Sequence, residues 1–114
     1  MKVMAFNGSP RKNGNTARLI RTVLKELERE GIDTEVVQVG AAVVAVRRTG
    51  GLHAFDSMNH FFTISQMIIP GSSYWNIGIG RERGDVDKDE EGLRTMKTLG
   101  QNMSWLLKKV CAKE

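Results

Sequence analysis

The chain has 114 residues, 40% of them hydrophobic, and a formal net charge of +4. This length predicts a single domain over residues 1–114 with a modest core. The single cysteine, Cys111, excludes an internal disulfide framework and is typical of a reducing compartment, so we expect a cytoplasmic protein. No apolar run reaches membrane-spanning length, and the N-terminus does not resemble a signal peptide, so we expect no membrane association.

The first part of the chain predicts a strand, a helix and a second strand. Residues 2–6 form a short apolar run. Residues 16–31 carry apolar side chains at the spacing of one helical face, and Gly31 is a natural stop. Residues 34–39 alternate as a strand does. A strand, helix and strand of this combined length indicate a parallel sheet.

The second part continues the alternation. Residues 41–46 predict a strand, and residues 52–67 predict a helix that Pro70 and Gly71 end. Residues 72–80 read as a strand, because Trp75, Ile77 and Ile79 alternate with Asn76, Gly78 and Gly80.

A charged loop over residues 81–92 leads to the last predicted helix. That helix has acidic residues at its start and lysines at its end, which suits the helix dipole. One apolar stripe runs along it, formed by Leu93, Met96, Gly100, Met103, Leu107 and Val110.

The loop between the first strand and the first helix has the composition of an anion site. Gly8 and Gly14 would let the backbone curl around a phosphate at the start of the helix, where backbone N–H groups are unpaired. Hydrogen-bonding side chains and one cation fill the rest of the loop: Ser9, Arg11, Asn13, Asn15 and Thr16. A plain polar turn capped by Asn15 or Thr16 is the alternative. The loop matches neither the GxxxxGK[ST] nor the GxGxxG pattern.

The segment NGSPRKNGNT, residues 7–16, resembles the phosphate loop of the NADPH-dependent FMN reductase family, in its flavodoxin-like branch that includes iron–sulfur flavoproteins. Residues 40–110 are similar to the C-terminal portion of the same branch. The resemblance implies a flavodoxin-like three-layer α/β sandwich with a parallel sheet. It implies that Ser9, Arg11, Asn13, Asn15 and Thr16 hold the FMN phosphate. It also implies that Thr49, Gly50 and Gly51 lie beside the ribityl chain or the isoalloxazine ring.

The central segment that this family usually carries is missing here. Around the position of Gly40, members of the family have a cysteine-bearing segment, a central strand whose loop touches the flavin ring, and flanking helices. No Cys-x-x-Cys is present, so we expect no iron–sulfur cluster. Because Gly40 alone separates two predicted strands, residues 34–46 form one long strand bent at Gly40, or residues are missing from the junction. Because the central strand is missing, we expect the chain to form a homo-oligomer, either a dimer or a tetramer.

Several other side chains have structural rather than chemical interpretations. His53 and His60 have only Asp56 close by in sequence, which does not complete a metal site, so capping, packing or surface roles are favoured and we expect no metal site. Tyr74 and Trp75 fit core or interface packing better than flavin stacking. Cys111 has no paired histidine, so inert packing is favoured over nucleophilic chemistry.

The function that these features indicate is transfer of a hydride from NAD(P)H to FMN and of electrons onward to a small-molecule acceptor. No catalytic side chain is required, because the flavin supplies the chemistry. Arg81 and Arg83 could meet the phosphate of the nicotinamide cofactor or simply be solvated. The alternatives are a non-catalytic remnant that binds FMN or phosphate weakly, and a basic nucleic-acid-binding module. Scattered cations without a recognised motif make nucleic acid the less favoured ligand.

Overall fold

The computed structural model describes residues 13–30 and 39–110. Predictions for residues 2–6, Gly31, residues 34–38 and Cys111 therefore lie outside the described residues. The elements are, in chain order, α1 (Asn15–Arg29), β1 (Val44–Val46), α2 (Gly51–Ile64), β2 (Ile77–Ile79), a 3-10 helix (Asp85–Lys88) and α3 (Glu90–Val110).

The two strands form a parallel sheet, and α2 is the crossover between them. Val44, Ala45 and Val46 pair with Ile77, Gly78 and Ile79 respectively. One isolated parallel bridge, from Val39 to Ile68, lies beyond this ladder. A parallel pair joined by a helix is a βαβ unit. The strand–helix–strand unit predicted over residues 2–39 is a different one, and its strand residues 2–6 and 34–38 lie outside the described residues.

Helices α1 and α3 cover one face of the sheet and contain most of the core. The buried cluster contains Leu19, Val23, Leu27, Met96, Met103 and Leu107 from the predicted apolar stripes, together with Leu99 of α3 and Val86 of the 3-10 helix. Ala45 of β1 packs against this cluster. An ion pair between Glu30 and Lys108 links the C-terminal ends of α1 and α3.

Helix α2 lies on the opposite face of the sheet. A Cβ atom on Gly51 would meet the side chain of Val46 at 2.5 Å and that of Ile77 at 3.4 Å. Because side chains alternate along a strand, Val46 and Ile77 lie on the face of the sheet opposite to that of Ala45. Two helices, a sheet and one helix make three layers. The predicted α/β class and shortened flavodoxin-like fold are confirmed.

The end predicted for α2 is wrong. The helix ends at Ile64, six residues before Pro70. Ser65 donates its N–H to the carbonyl of Phe61 at 3.3 Å, and Gln66 then adopts a positive φ of 57°. The chain turns after the helix at this left-handed residue. The sequence gives no indication of the turn, because glycine and asparagine, which usually adopt this conformation, are absent there.

The second strand is shorter than the predicted span of residues 72–80, and its buried face is the less apolar one. Asn76 and Gly78 are buried, whereas Ile79 is 58% exposed. A Cβ on Gly78 would lie 2.6 Å from Leu19 and 2.8 Å from Val86. Glycine therefore brings the strand close to α1 and the 3-10 helix, and this packing leaves the isoleucine outside.

The junction at Gly40 is not part of a continuous strand ladder. Gly40 donates its N–H to the carbonyl of Ile68 at 3.0 Å, and β1 begins only at Val44. A Cβ on Gly40 would meet the Met67 side chain at 2.9 Å and Phe62 at 3.1 Å. Of the predicted strand over residues 34–46, the described part therefore consists of one bridge and one three-residue strand.

Candidate functional site

The carboxyl ends of both strands meet at one edge of the sheet. Gly80, the first residue after β2, donates its N–H to the carbonyl of Val46, the last residue of β1, at 2.9 Å. The loop that leads from β1 into α2 and the loop that follows β2 therefore start side by side. In open parallel sheets, this edge is where ligands bind.

The first turn of α1 is fastened to the same edge by the side chain of Asn15. Its Nδ2 donates to the carbonyl of Gly80 at 3.3 Å and to that of Glu82 at 3.2 Å. Its Oδ1 accepts the N–H of Gly84 at 3.0 Å. The start of α1, the end of β1 and the loop after β2 are distant in sequence, and they thus lie together at the carboxyl edge of the sheet.

Among the described residues, no side chain caps the N-terminus of α1 or that of α2 at this edge. Each is preceded by a glycine, Gly14 and Gly50, that offers no side-chain cap, and neither helix has an acidic residue in its first turn. Such an N-terminus presents backbone N–H groups and a positive dipole end. Both ends are therefore chemically suited to an anion.

The N-terminus of α3 shows the contrast. Asp89 caps it, because its Oδ1 accepts the N–H of Gly92 at 3.0 Å, and Glu90 and Glu91 occupy the first turn. The other oxygen of Asp89 accepts the N–H of Ile79 at 2.7 Å. This helix end is satisfied from within the chain and would repel an anion.

The residues predicted to hold the phosphate fall into different situations. Ser9 and Arg11 lie outside the described residues. Asn13 is exposed, and its Oδ1 accepts a hydrogen bond from Arg21 at 2.8 Å. Thr16 is half-buried in the first turn of α1. Asn15 has both ends of its amide engaged by the loop after β2, so its observed role is to position the helix.

The three residues predicted beside the flavin ring also differ. Thr49 and Gly50 are exposed in the loop between β1 and α2, and Gly50 has a φ of 85°. Gly51 is buried against Val46 and Ile77. Its backbone can face the edge, but the space beside its Cα is already filled by strand side chains.

Two charged contacts that the sequence analysis did not identify shape the loop after β2. Arg18 of α1 forms an ion pair with Asp87 of the 3-10 helix. Asp85 accepts the N–H of Glu82 at 2.8 Å and lies 3.1 Å from the Lys88 ammonium. The backbone bond, followed by the lysine bond, holds the pKa of Asp85 below its ordinary value. The position of Asp85 directly after Gly84 is the feature of the sequence that could have indicated this turn.

Four arginines follow the two strands at the same edge. Arg47 and Arg48 follow β1, and Arg81 and Arg83 follow β2; all four are exposed. Arg81 lies 3.8 Å from the carboxylate of Glu82. The edge therefore carries exposed cations from both loops, and the loop after β2 places acidic residues beside them.

The remaining candidate side chains lie elsewhere. Tyr74 and Trp75 precede β2, at the opposite edge of the sheet, with ring centroids 4.9 Å apart and both side chains exposed. His53 and His60 are exposed on α2. Within residues 13–30 and 39–110, no three His, Cys, Asp or Glu side chains are grouped as metal ligands would be.

The fold and the edge define an α/β protein with a shortened flavodoxin-like architecture. Residues 1–43 match the family model of the NADPH-dependent FMN reductases. An iron–sulfur flavoprotein of Methanocaldococcus jannaschii is 22% identical over 189 aligned positions, which cover 95% of this chain and 98% of the relative. No solved structure gives a significant match. The predicted resemblance to this family of flavin-binding oxidoreductases is confirmed.

The alignment with the archaeal relative also bears on the length of this chain. It runs over 189 positions, whereas this chain has 114 residues. A long stretch of the relative therefore has no counterpart here, as expected for a chain that lacks a central segment. In the described part of the chain, no helix has the length and apolar character needed to cross a bilayer.

Proposed function

We propose that this chain binds FMN at the carboxyl edge of its sheet, with the phosphate at the start of α1. The observation that carries the proposal is that the N-termini of α1 and α2, which no described side chain caps and whose first turns have no acid, meet at one edge of the sheet. A phosphate monoester is an anion that such an N-terminus accommodates well.

In this proposal the residues have distinct tasks. Ser9, Arg11, Asn13 and Thr16 hold the phosphate, together with backbone N–H groups of the first turn. Asn15 keeps that turn against the loop after β2, as its three hydrogen bonds indicate. The backbone from Thr49 to Gly51 runs beside the ribityl chain and the ring.

When bound, FMN would supply hydride acceptance from NAD(P)H and electron transfer to a small-molecule acceptor. The chain's own contribution is to anchor the phosphate, orient the ring and exclude water from one side of it. The exposed arginines after both strands add positive charge on the side from which a phosphorylated nicotinamide cofactor would approach. The single cysteine cannot supply the thiolates of an iron–sulfur cluster, so we do not extend that part of the relative's name to this chain.

A second candidate function is FMN binding without turnover. The observation in its favour is the stretch of the archaeal relative that has no counterpart in this chain. The family resemblance implies that the missing segment includes the loop that touches the flavin ring. With fewer contacts to the ring, the phosphate anchor would provide most of the affinity, and the ring would be poorly oriented for hydride transfer.

The phosphate anchor is tested by comparing FMN with riboflavin, which has the same ring and no phosphate. We expect binding to the protein to quench the fluorescence of FMN, and FMN to co-elute with the protein in gel filtration. Riboflavin should bind at least about tenfold more weakly. Arg11→Ala should remove this preference. Arg29→Ala is the matched control, because it removes the same charge from the exposed far end of α1.

Equal affinity for FMN and riboflavin, or no retained flavin absorbance with excess FMN, would overturn the phosphate site. Catalysis is tested separately by following NADPH and NADH oxidation by the FMN-loaded protein with a soluble electron acceptor. Oxidation above the rate with free FMN supports the oxidoreductase. FMN retention without such a rate supports the non-catalytic alternative.

A further inference from the structure

We infer that this chain has a second binding site, which takes a small molecule with a quaternary ammonium group. We call it the aromatic site and define it by Phe55, Tyr74 and Trp75. Tyr74 and Trp75 precede β2, whereas the proposed phosphate site lies where the strands end. The inference is therefore independent of flavin binding.

Three aromatic side chains line one cavity of about 410 Å³. Phe55 belongs to α2, and Tyr74 and Trp75 belong to the segment that leads into β2. The ring centroids of Tyr74 and Trp75 are 4.9 Å apart and their planes are inclined by 49°, so the two rings do not stack flat on each other. The rest of the lining consists of Ile69, Pro70, Gly71, Ser72 and Asn76. Cavities of this volume are typical of small-molecule sites.

The two rings before β2 are accessible to a ligand. Tyr74 is 60% exposed and Trp75 is 47% exposed. Neither side chain belongs to the buried cluster that α1 and α3 form. Exposed aromatic side chains next to a cavity are typical of a binding site, because the core gains nothing from them.

Hydrogen bonds hold the segment that carries these rings. Asn102 of α3 donates its Nδ2 to the carbonyl of Gly71 at 2.8 Å. The buried Asn76 donates its Nδ2 to the carbonyl of Ala42 at 3.0 Å. Its Oδ1 lies 2.6 Å from the hydroxyl of Ser72. Because the segment is anchored on both sides of the rings, less conformational entropy is lost when a ligand binds.

The charge of this part of the chain favours a cation. From Thr49 to Gly80 the only Asp, Glu, Lys or Arg is Asp56, so this stretch carries one negative formal charge in a chain whose net charge is +4. The face of an aromatic ring is negative and attracts a cation. Because no lysine or arginine of this stretch competes for the rings, their faces are available to a cationic ligand.

The polar groups of the lining favour a cation without N–H groups. Apart from the Tyr74 hydroxyl, the polar side chains of the described lining are Ser72 and Asn76, which are already hydrogen-bonded within the chain. A primary ammonium group needs acceptors for its three N–H donors. A quaternary ammonium group needs none, and clusters of aromatic rings recognise it through their faces. An anion would meet the negative ring faces and no cationic side chain of this lining.

Choline and 3,3-dimethylbutan-1-ol test the inference, because they have the same shape and differ in the charge of the quaternary centre. Ligand-observed NMR follows the methyl protons of each compound in the presence of the full chain. We expect choline to bind with a Kd of about 10 mM or tighter, and the neutral compound to bind at least about tenfold more weakly.

Replacement of either accessible ring by leucine keeps an apolar side chain but removes the ring face. Trp75→Leu should weaken choline binding by at least about fivefold. Tyr74→Leu should act in the same direction, and it keeps the test open if Trp75→Leu does not fold, because Tyr74 is the more exposed of the two. Circular dichroism and the unfolding midpoint check the fold of each variant.

Trp105→Leu is the matched control. Trp105 is 63% exposed on α3 and does not line the aromatic site, so its replacement should leave choline binding unchanged. Equal affinity for choline and its neutral analogue would overturn the inference, as would native choline affinity in a folded Trp75→Leu or Tyr74→Leu variant. Failure of choline to bind at up to about 50 mM would also overturn it. If the chain then bound phosphatidylcholine vesicles, the rings would be assigned to a lipid surface instead of a small molecule.

Discussion

Gly84 donates its backbone N–H to the Oδ1 of Asn15 at 3.0 Å, and this bond joins residues 69 positions apart. The Nδ2 of the same amide donates to two carbonyls of the loop that ends at Gly84. One side chain therefore sets where α1 begins relative to the sheet. The proposed phosphate site depends on this placement, because its N–H groups belong to the first turn of α1.

Replacement of Asn15 tests this role. Asn15→Ala should lower the free energy of unfolding by about 1–3 kcal/mol, because the carbonyls of Gly80 and Glu82 and the N–H of Gly84 lose their partner. Asn15→Asp should be no better at neutral pH, because a carboxylate can accept from Gly84 but cannot donate to the two carbonyls. Urea unfolding measures both. Asn13→Ala, at an exposed position, should stay within about 0.5 kcal/mol of the native value. A fully stable Asn15→Asp would contradict the donor role.

Gly78→Ala tests the close approach of β2 to the core. The new methyl group would meet Leu19 at 2.6 Å and Val86 at 2.8 Å, and both neighbours are fully buried. Overpacking of this kind should cost about 1–3 kcal/mol of stability. Gly71→Ala is the control, since nothing lies within 4 Å of that position. Thermal and urea unfolding should separate the two variants, and equal stability would show that the core can shift to accept the methyl group.

Substitution of Gly50 tests whether the start of α2 requires a residue with a positive φ. Its φ is 85°, and a Cβ added at this residue would meet no atom within 4 Å, so only the backbone constrains the residue there. Gly50→Ala should therefore cost about 1–2 kcal/mol. Gly50→Asn should lose less, because asparagine visits the left-handed region more readily. If alanine and asparagine are equally tolerated, the positive φ is not required at this turn.

The ion pair between Glu30 and Lys108 predicts a pH dependence. The hydrogen bond from Lys108, and then its charge, hold the pKa of Glu30 below its ordinary value of 4.5. A carboxyl whose pKa is lower in the folded state stabilises the fold above pH 4.5, and this contribution is lost as the pH falls through the folded pKa. Glu30→Gln should therefore lower the melting temperature at pH 7, and the difference should close in acid.

The matched control for this experiment is Glu28→Gln, which removes the same charge from an exposed position near the end of α1. It should follow the native pH profile. Added salt should narrow the difference between the native chain and Glu30→Gln, because both partners of the pair are partly exposed. A Glu30→Gln effect that is the same at pH 3 and pH 7 would exclude the ion pair as its cause.

The sequence predicted the helices on local grounds. Leu19, Val23 and Leu27 recur with the helical period, and that period alone identifies the buried face of α1. The end of α2 was missed because the left-handed residue there is Gln66, a residue type that rarely adopts this conformation. Local composition favoured Pro70 and Gly71, but tertiary packing of Met67 and Ile68 against Gly40 and Val39 turns the chain earlier.

The location of the candidate site agrees with the sequence, whereas the anion bound there stays a prediction. A glycine-rich loop before an amphipathic helix indicated an anion site, and α1 does begin at the carboxyl edge of the sheet. The role of Asn15 could not be predicted, because its partners Gly80, Glu82 and Gly84 are distant in sequence and use backbone atoms that any residue possesses. The alternation in β2 misled for a related reason: the face that touches Leu19 needs a small residue rather than an apolar one.

The uneven distribution of the core divides the molecule into two units of different local stability. The buried cluster draws only on α1, the 3-10 helix and α3, and none of its members comes from α2. Amide protons of α1 and α3 should therefore exchange with solvent only when the whole cluster opens, whereas those of α2 exchange through smaller openings. In hydrogen-exchange measurements on dilute protein, α2 should gain deuterium first.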